Sequence, residues 1–382
     1  MLIVVAPDKF KGTLTGAEVA AAISAGVRQA LPEARIVTVP VADGGEGTLA
    51  AALECGFAQH HGTVAGPTGE PVRAAFGLKG VTAIVEMAEA SGLDQLPGGV
   101  KDALAASSFG TGQLIFAALE AGATEIILGV GGSACTDGGA GMLQALGARL
   151  HDGAGHELPR GGGALSQIHA VDLAGLDARL GDTAFTLAAD VENPLTGPNG
   201  AAVVFGPQKG ATQAQVEALD AGLGRFAQAL GAQLGAPRIS GIAQSPGAGA
   251  AGGVGFAALA VLGAIRRRGI DVVLELTGLE AALEGAAAVF TGEGSLDTQS
   301  LEGKTPVGVA QLAAAHGIPV YAICGRNQLS TEQAANAGFT AVRSLLELEH
   351  DVARCLREGG PLVQRAATQL ASEFLAAAAA TP

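Results

Sequence analysis

Short runs of β-branched and other apolar residues alternate along the chain with stretches in which apolar positions recur every three or four residues. The first such stretch begins with Thr15 and Glu18, which form the pattern of a capping box, and Val19, Ile23 and Val27 follow at helical spacing. Strands that alternate with helices favour mainly parallel sheets with helices on their faces. The pattern therefore predicts an α/β protein.

The predicted strands are short apolar runs bounded by turn residues, and they cover residues 2–6, 35–40, 83–86, 125–130, 185–189, 202–205, 287–291, 319–324 and 340–343. Helices are predicted at residues 47–55 and along the amphipathic stripes of residues 216–230 and 362–374. An uncharged stretch at residues 239–265 is divided by Pro246 and contains many glycines. Only residues 254–265 predict a strongly apolar helix, which is too short to span about 30 Å of hydrocarbon. We expect a buried core helix there and no membrane partner.

The regular alternation of predicted strands and helices is interrupted after Cys55 and resumes near residue 287. Residues 67–71 form a turn-rich stretch, and residues 153–163 form a glycine-rich one. We predict a discontinuous Rossmann-like parallel-sheet domain of residues 1–62 plus 243–382, with a second α/β domain of residues 63–242 inserted.

Composition narrows the class of protein. The 382 residues are 48% hydrophobic and 15% charged, which excludes a disordered chain. Lysine and arginine number 22 against 36 acidic residues, and the net charge of −14 argues against a nucleic-acid or anionic-membrane partner. The four cysteines form no CxxC pair, so we expect reduced thiols in the cytoplasm. The 59 glycines are far more than a packed core needs, and they suit loops in which the backbone approaches a ligand closely.

Most predicted strands end in a loop that mixes glycine with an acid, a lysine or a hydroxyl. Ligands bind at the carboxyl ends of parallel strands, and glycine loops that open helices present N–H groups to phosphate. Four of the six lysines lie in these loops, namely Lys9, Lys11, Lys209 and Lys304. Carboxylates among them can hold Mg²⁺, which bridges nucleotide phosphates. The mixture indicates phosphoryl transfer.

The standard nucleotide-binding motifs are incomplete, and the GxSxG motif typical of hydrolases is absent from the sequence. Residues 303–305 have the Gly-Lys-Thr end of a P-loop, but Thr298 occupies the position of its first glycine. Residues 247–252 match GxGxxG without a convincing preceding strand, so close packing or a helix start suits them better. Two alternatives stay open at this point: an NAD-dependent 2-hydroxy-acid dehydrogenase, and a non-catalytic adenine-nucleotide-binding module.

Taken together, the loops resemble those of the glycerate kinase type 1 family along the whole chain. The resemblance rests on six segments: residues 6–13 (APDKFKGT), 43–48 (DGGEGT), 131–139 (GGSACTDGG), 190–195 (DVENPL), 205–211 (FGPQKGA) and 291–294 (TGEG) with Gly303-Lys304. It implies ATP-dependent phosphorylation of D-glycerate, commonly at the 2-hydroxyl, with Mg²⁺ and in the cytoplasm. It also implies two α/β domains with the active site in the cleft between them.

The reaction needs neutralisation of phosphate charge, a base near the glycerate hydroxyl and a cation for its carboxylate. We predict Lys9 and Lys304 as catalytic anion-binding residues, and Asp190 as the base because it follows a strand and precedes Glu-Asn-Pro. The predicted metal ligands are Asp43, Glu46 and Glu293. The predicted substrate- and phosphate-binding residues are Asp8, Lys11, Gly44, Gly45, Gly131, Gly132, Ser133, Asp137, Asn193, Lys209, Gly292 and Gly294.

One position departs from the family pattern. Ser295 stands where the family has an arginine after Gly-Glu-Gly. If that arginine contacts phosphate or carboxylate, another cation must replace it, and Lys304 and Arg326 are the candidates. The sequence leaves open the oligomeric state and the choice between 2- and 3-phosphoglycerate, which depends on ångström-scale placement of the hydroxyls.

Overall fold

The structure, a computed structural model, describes residues 1–380 and builds them from strands that alternate with helices. In chain order, strands β1 to β13 are Leu2–Val5, Arg35–Thr38, Ala58–Ala65, Pro71–Lys79, Thr82–Glu86, Glu125–Gly129, Arg149–His151, Ala170–Asp172, Ala184–Ala188, Ile265–Arg267, Ala286–Leu296, Val320–Asn327 and Ala341–Ser344.

Helices α1 to α16 are Gly16–Ala30, Thr48–Glu54, Ala88–Ser91, Phe109–Glu120, Ala140–Ala145, Ala201–Phe205, Gln213–Leu234, Ala236–Ala243, Ala250–Ala260, Gly269–Thr277, Leu279–Leu283, Thr305–Ala315, Thr331–Asn336, Leu345–Leu348, Val352–Arg357 and Gly359–Ala380. Short 3₁₀ turns lie at Leu93–Gln95, Pro97–Gly99, Gly162–Gln167, Ala178–Asp182, Pro207–Lys209 and Ser300–Glu302.

The chain divides into two compact units, and the first comprises Met1–Asp43 with Ile270–Pro382. Its sheet has five strands in the order β13-β12-β11-β1-β2, and every neighbouring pair is parallel. Ile3 and Val5 of β1 face the core that contains α1 and α16, whereas Val4 faces the core that contains α12. Both faces of this sheet are buried, which explains why β1 is a continuous apolar run.

The second unit, Gly44–Gly269, contains a six-stranded sheet in the order β10-β9-β6-β5-β4-β3. Strands β5, β6, β9 and β10 run parallel, whereas β3 and β4 form an antiparallel extension at one edge. A separate antiparallel pair joins β7 and β8. Two α/β units with largely parallel sheets confirm the fold class predicted from the sequence.

The boundaries of the units differ from the predicted domain limits. Residues 44–62 and 243–269 belong to the second unit, although the sequence pattern placed them with the first. The reason is long-range pairing: β3 pairs with β4 over its whole length, and β10 joins the open side of β9. Val254 and Phe256 of α9 are likewise buried in the core of the second unit.

Eight of the nine predicted strands correspond to β1, β2, β5, β6, β9, β11, β12 and β13, but the prediction at residues 202–205 is wrong. That segment is helix α6, which buries Ala201 and Ala202 and leaves Val203 and Val204 39% and 43% exposed. A four-residue apolar run has too few positions to separate a strand from one helical turn. Strands β3, β4, β7, β8 and β10 were not predicted. Strand β3 carries the polar pair His60-His61 and alternates poorly, and β7, β8 and β10 are only three residues long.

The glycine-rich segment at residues 247–253 packs closely instead of forming a dinucleotide loop. It follows helix α8 and not a strand, so the strand–turn–helix context of that motif is missing. A Cβ at Gly252 would clash with the Cys135 carbonyl, and one at Gly253 would lie 2.7 Å from the Gly138 Cα. The apolar residues beyond it form the buried helix α9, which ends at Ala260 and is followed by β10. Within residues 1–380 we find no helix with the length and apolar character needed to cross a bilayer.

Two helical glycines of the second unit predict opposite effects of the same substitution. A Cβ at Gly112 in α4 would lie 2.7 Å from the Ala145 Cβ and would clash with the Met142 carbonyl, whereas one at Gly224 in α7 meets nothing within 4 Å. Gly112→Ala should lower the free energy of unfolding by about 1–3 kcal/mol through overpacking. Gly224→Ala should raise it by about 0.5–1 kcal/mol because alanine restricts the unfolded chain. Urea unfolding followed by circular dichroism measures both, and equal effects of the two variants would contradict the packing described.

Candidate active site

The carboxyl ends of β1 and β11 bring together the acidic loops of the first unit. The Asp8 amide donates to the Gly292 carbonyl at 2.8 Å, which ties the loop after β1 to β11. A Cβ at Gly292 would clash with the Ile323 carbonyl, and one at Gly294 would lie 3.6 Å from the Lys11 amide nitrogen. A side chain is excluded at Gly292 because the neighbouring backbone passes so close, whereas a Cβ at Gly294 would make an ordinary van der Waals contact. Predicted site residues from two distant segments therefore share one location.

Asp8 is held by hydrogen bonds on both carboxylate oxygens. The Thr305 hydroxyl donates to Oδ2 at 2.6 Å, and the Lys9 amide donates to Oδ1 at 2.7 Å. Burial, followed by the charge of Asp43, raises the pKa of Asp8 to about 6, and these hydrogen bonds oppose the shift. Asp8 and Asp43 are therefore close enough for their charges to repel, and a cation placed beside them would be favoured.

Glu293 on β11 is the second buried acid of this loop cluster, with 8% of its surface exposed. Its Oε1 has no hydrogen-bond partner among the described residues. Burial is the main cause that raises the pKa of Glu293 to about 7, and Asp8 and Asp297 add to it, whereas Ser300 and Lys304 oppose it. A buried carboxylate oxygen without a donor is costly, so this atom is poised for a ligand.

Lys304 stands at the N-cap of α12, which carries Pro306 in its first turn. Its Nζ lies 4.0 Å from Asp297 Oδ1, and the side chain is 36% exposed. The helix N-terminus adds a positive dipole and backbone N–H groups. An exposed ammonium at this end of an 11-residue helix suits an anionic oxygen. Lys11 is also exposed, in the loop after β1.

In the second unit, the predicted glycine loops pack backbone against backbone. A Cβ at Gly131 would lie 2.5 Å from the Gly45 Cα, and one at Gly129 would lie 2.6 Å from the Gly44 carbonyl oxygen. Gly44 itself has a φ of +82°, a conformation that other residues rarely adopt. The loops after residues 43 and 130 therefore lie side by side, as expected for loops at one edge of a parallel sheet.

Asp137 supports its loop from inside the protein. It is fully buried and accepts hydrogen bonds from the Ser107 hydroxyl, from the amide and hydroxyl of Ser108, and from the amides of Gly139 and Gly141, at 2.8–3.2 Å. Both carboxylate oxygens are thus occupied by protein donors. The contacts indicate that Asp137 holds the loop in shape.

Lys209 lies beside the loop of residues 131–139, and 2% of its surface is exposed. Its Nζ donates to Ser133 Oγ at 2.7 Å and to the Cys135 carbonyl at 2.6 Å. Burial is the main cause that lowers the pKa of the Lys209 ammonium, and Cys135 and Asp137 act in the opposite direction. Lys209 therefore contacts the loop of residues 131–139 directly, far along the chain from its own position.

Asp190 follows β9 and sits beside the segment of β10. The Gly269 amide donates to its Oδ1 at 2.9 Å, and Arg266 donates to its backbone carbonyl at 3.3 Å. Arg266 also lies 3.9 Å from Glu192, while its Nε is buried without a hydrogen-bond partner among the described residues. Asn193 donates to the Asn199 carbonyl at 2.8 Å. The loop after β9 is thus anchored by neighbouring backbone.

The structure divides the predicted site residues between the two units. The first unit contains Asp8, Lys9, Lys11, Asp43, Gly292, Glu293, Gly294 and Lys304. The second holds Gly44, Gly45, Glu46, Gly131, Gly132, Ser133, Asp137, Asp190, Asn193 and Lys209. Of the predicted metal ligands, Asp43 and Glu293 lie in the first unit and Glu46, whose side chain is exposed, lies just beyond the boundary in the second.

Sequence reasoning missed three residues that shape these loops: Thr305, Glu86 and Arg266. Glu86, 3% exposed, accepts from the Gly47 and Leu49 amides at 3.2 and 3.0 Å and so caps α2 just after the loop of residues 43–48. Its position at the end of the predicted strand 83–86 could have identified Glu86 from the sequence. Thr305 followed Lys304 in the Gly-Lys-Thr segment, but its partner Asp8 is 297 residues away.

The departure at Ser295 has a structural counterpart. In the parallel pairing of β11 with β12, Ser295 lies directly opposite Arg326. Register partners in a parallel sheet project toward the same face. Arg326, which is exposed, therefore lies beside Ser295 on the same face of the sheet.

A sequence model of the glycerate kinase family matches residues 3–375. The "Glycerate 2-kinase" of Escherichia coli (strain K12) is 47% identical over 349 residues, which cover 91% of each chain. The "Glycerate kinase" of Bacillus subtilis (strain 168) is 44% identical over 377 residues, or 98% of each chain. The "Crystal structure of putative glycerate kinase 2 from Salmonella typhimurium LT2" superposes with a TM-score of 0.84 at 42% identity over 99% of both chains.

The fold and the strand-end loops are those of a phosphotransferase, an enzyme class whose sites combine anion-binding loops with carboxylates. The chain belongs to the glycerate kinase family. Its activity is therefore that of a glycerate kinase, with ATP as one of its substrates. The resemblance stated from the sequence is confirmed.

The raised pKa of Glu293 predicts a specific pH dependence of stability. Because the folded state keeps this carboxyl protonated up to about pH 7, against a usual value of 4.5, its contribution is complete below pH 4.5 and is lost as pH rises toward 7. Glu293→Gln should remove up to about 3 kcal/mol of the fall in the free energy of unfolding between pH 5 and pH 8.

Urea unfolding of the ligand-free enzyme at several pH values provides the measurement. The exposed Glu284→Gln variant of the same unit is the matched control and should keep the wild-type pH dependence. A Glu293→Gln curve parallel to that of the wild type across this range would contradict the assignment.

Proposed function

We propose that this enzyme transfers the γ-phosphoryl group of ATP to the 2-hydroxyl of D-glycerate with the assistance of Mg²⁺, and gives 2-phosphoglycerate. The observation that carries the proposal is the pair of acids at the ends of β1 and β11, the half-buried Asp8 and the buried Glu293, with Lys304 at a helix N-terminus of the same unit. The name of the Escherichia coli relative, "Glycerate 2-kinase", supports the choice of hydroxyl.

The residues of the first unit fit a Mg²⁺ ion that is shared with phosphate. Among the described residues no three His, Cys, Asp or Glu side chains are grouped as a metal site. Mg²⁺ in kinases, however, usually takes only one or two carboxylates and completes its shell with phosphate oxygens and water. Glu293, with an unpartnered buried oxygen, and Asp43, beside Asp8, would supply such carboxylates. When bound, the ion would neutralise charge on the phosphates.

We keep Glu46 as a proposed metal ligand on the sequence pattern alone. The anion-binding roles go to Lys9 and Lys304, whose charge would stabilise the transferring phosphoryl group. Lys11 is exposed in the same loop as Lys9 and would add to the attraction for ATP.

Asp190 is the proposed general base. Its Oδ1 is oriented by the Gly269 amide, which fixes the carboxylate at the end of β9. A base must be held within hydrogen-bond reach of the hydroxyl proton that it removes. The neighbouring glycine loops, with Gly131, Gly132 and Ser133 beside Gly44 and Gly45, would bind anionic groups through backbone N–H donors.

Compartment and partners stay predictions from the sequence. All four cysteines are free thiols, which supports the expected cytoplasmic location. The acidic net charge of −14 supports the expected lack of a nucleic-acid partner.

The product of the wild-type enzyme tests the proposal directly. With D-glycerate, ATP and Mg²⁺, a ³¹P–¹H correlation spectrum should connect the new phosphorus signal to the single proton on carbon 2. Connection to the two protons on carbon 3 would overturn the proposed regiochemistry.

Chelation of Mg²⁺ should abolish turnover and readdition of Mg²⁺ should restore it. Full activity in the presence of the chelator would show that the ion takes no part in the reaction.

Replacing the proposed base should affect the chemical step. Asp190→Asn should lower kcat by about 10²-fold or more, because the amide cannot accept the proton, and should change the KM values much less. The exposed Asp182→Asn variant, in the same unit, controls for the loss of a negative charge. A kcat within a few-fold of the wild type would exclude Asp190 as the base.

A further inference from the structure

Lys209 is unusual because it is a buried lysine whose amine is hydrogen-bonded to other protein atoms. Those atoms belong to the loop of residues 131–139, which the family resemblance marks as part of the site. Its amine donates to Ser133 Oγ at 2.7 Å and to the Cys135 carbonyl at 2.6 Å, and 2% of the residue is exposed. Burying an ammonium is costly unless its hydrogen bonds are made. Such a group is placed for a purpose other than attracting an anion from solvent.

The direction of the hydrogen bond between the two side chains decides what Ser133 can do. An ammonium carries only donors, so Ser133 Oγ accepts from Lys209 with one of its lone pairs. The hydroxyl proton of Ser133 must then point away from Lys209. Within the described part of the chain, the structure gives this proton no acceptor, although Ser133 is only 7% exposed. A buried hydroxyl that can only donate is left for a ligand.

The surrounding loop is also held by many contacts that do not involve Lys209. Five hydrogen bonds to Asp137 hold the segment that follows Ser133. On another side, the Gly138 amide donates to the Gly252 carbonyl at 2.9 Å, and residues 251–253 adopt left-handed backbone conformations against it. Loss of the Lys209 amine should therefore change the orientation of Ser133 more than the path of the backbone.

We propose that Lys209 is a positioning residue that commits the Ser133 hydroxyl to donate a hydrogen bond to an anionic oxygen of a substrate. The inference rests on the proposed location of ligand binding at the loop of residues 131–139. Two sources provide such an oxygen, the carboxylate of glycerate and a phosphate of ATP. The substrate whose KM responds identifies the source.

The test is a double-mutant cycle with Ser133→Ala, Lys209→Met and the double variant, with kcat and both KM values measured. Ser133→Ala should raise the KM of one substrate by roughly 10- to 100-fold, because a hydrogen bond to a charged group is lost. Lys209→Met should raise the same KM by a similar factor. Because both changes remove one interaction, the double variant should lie within about threefold of the worse single variant.

Lys79→Met is the matched control, since Lys79 is exposed and donates to the Cys55 carbonyl at 2.8 Å, and it should leave both KM values unchanged. A merely structural role for Lys209 would multiply the two single effects in the double variant, which would overturn the proposal. Unchanged KM values in Ser133→Ala would overturn it even if Lys209→Met failed to fold. Phosphorylation at carbon 3 by the wild type would refute the proposed regiochemistry and leave this inference intact.

Discussion

The cost of burying carboxylates at the ends of parallel strands governs the whole arrangement. A buried charge must be met by donors, and most of these acids are: Asp137 accepts five hydrogen bonds and Glu86 caps a helix. Glu293 differs, because one of its buried oxygens has no partner among the described residues. Acids whose oxygens accept hydrogen bonds hold the loops in shape. Glu293, with an oxygen that accepts none, marks the place where we expect chemistry.

Glycine also shapes the loops at the ends of the strands, because it lets their backbones approach closely. Where Gly131 faces Gly45 and Gly129 faces Gly44, side chains are excluded and the loops meet backbone to backbone. This close approach of the two loops supports the proposed binding of anionic groups by their backbone N–H donors. At residues 251–253, in contrast, glycine and a left-handed alanine pack a helix start against a loop. Close backbone packing is therefore common to both places, whereas ligand binding is proposed only for the glycine loops at the edge of the sheet.

Much of the fold could be predicted because its signals are local. The β-branched runs at β1, β6 and β11 and the capping box at Thr15 specify their elements within a few residues. The errors arose where local signals are weak. Helix α6 is a short apolar run without a period, and β3 is a polar edge strand whose stability comes from pairing with β4. The unit boundaries also depend on pairing between distant segments, which no local pattern reports.

The sequence by itself determined the family, the fold class and the identity of the charged loops, because these depend on residue type and order along the chain. Only the tertiary structure decided which of those residues meet. It joined Asp8 to Thr305 across 297 residues and Lys209 to Ser133 across 76. It also showed that Asp137 is fully buried and bonded to neighbouring protein donors. Hydrogen-bond direction and burial are properties of three-dimensional neighbours, so they cannot be read from a list of residues.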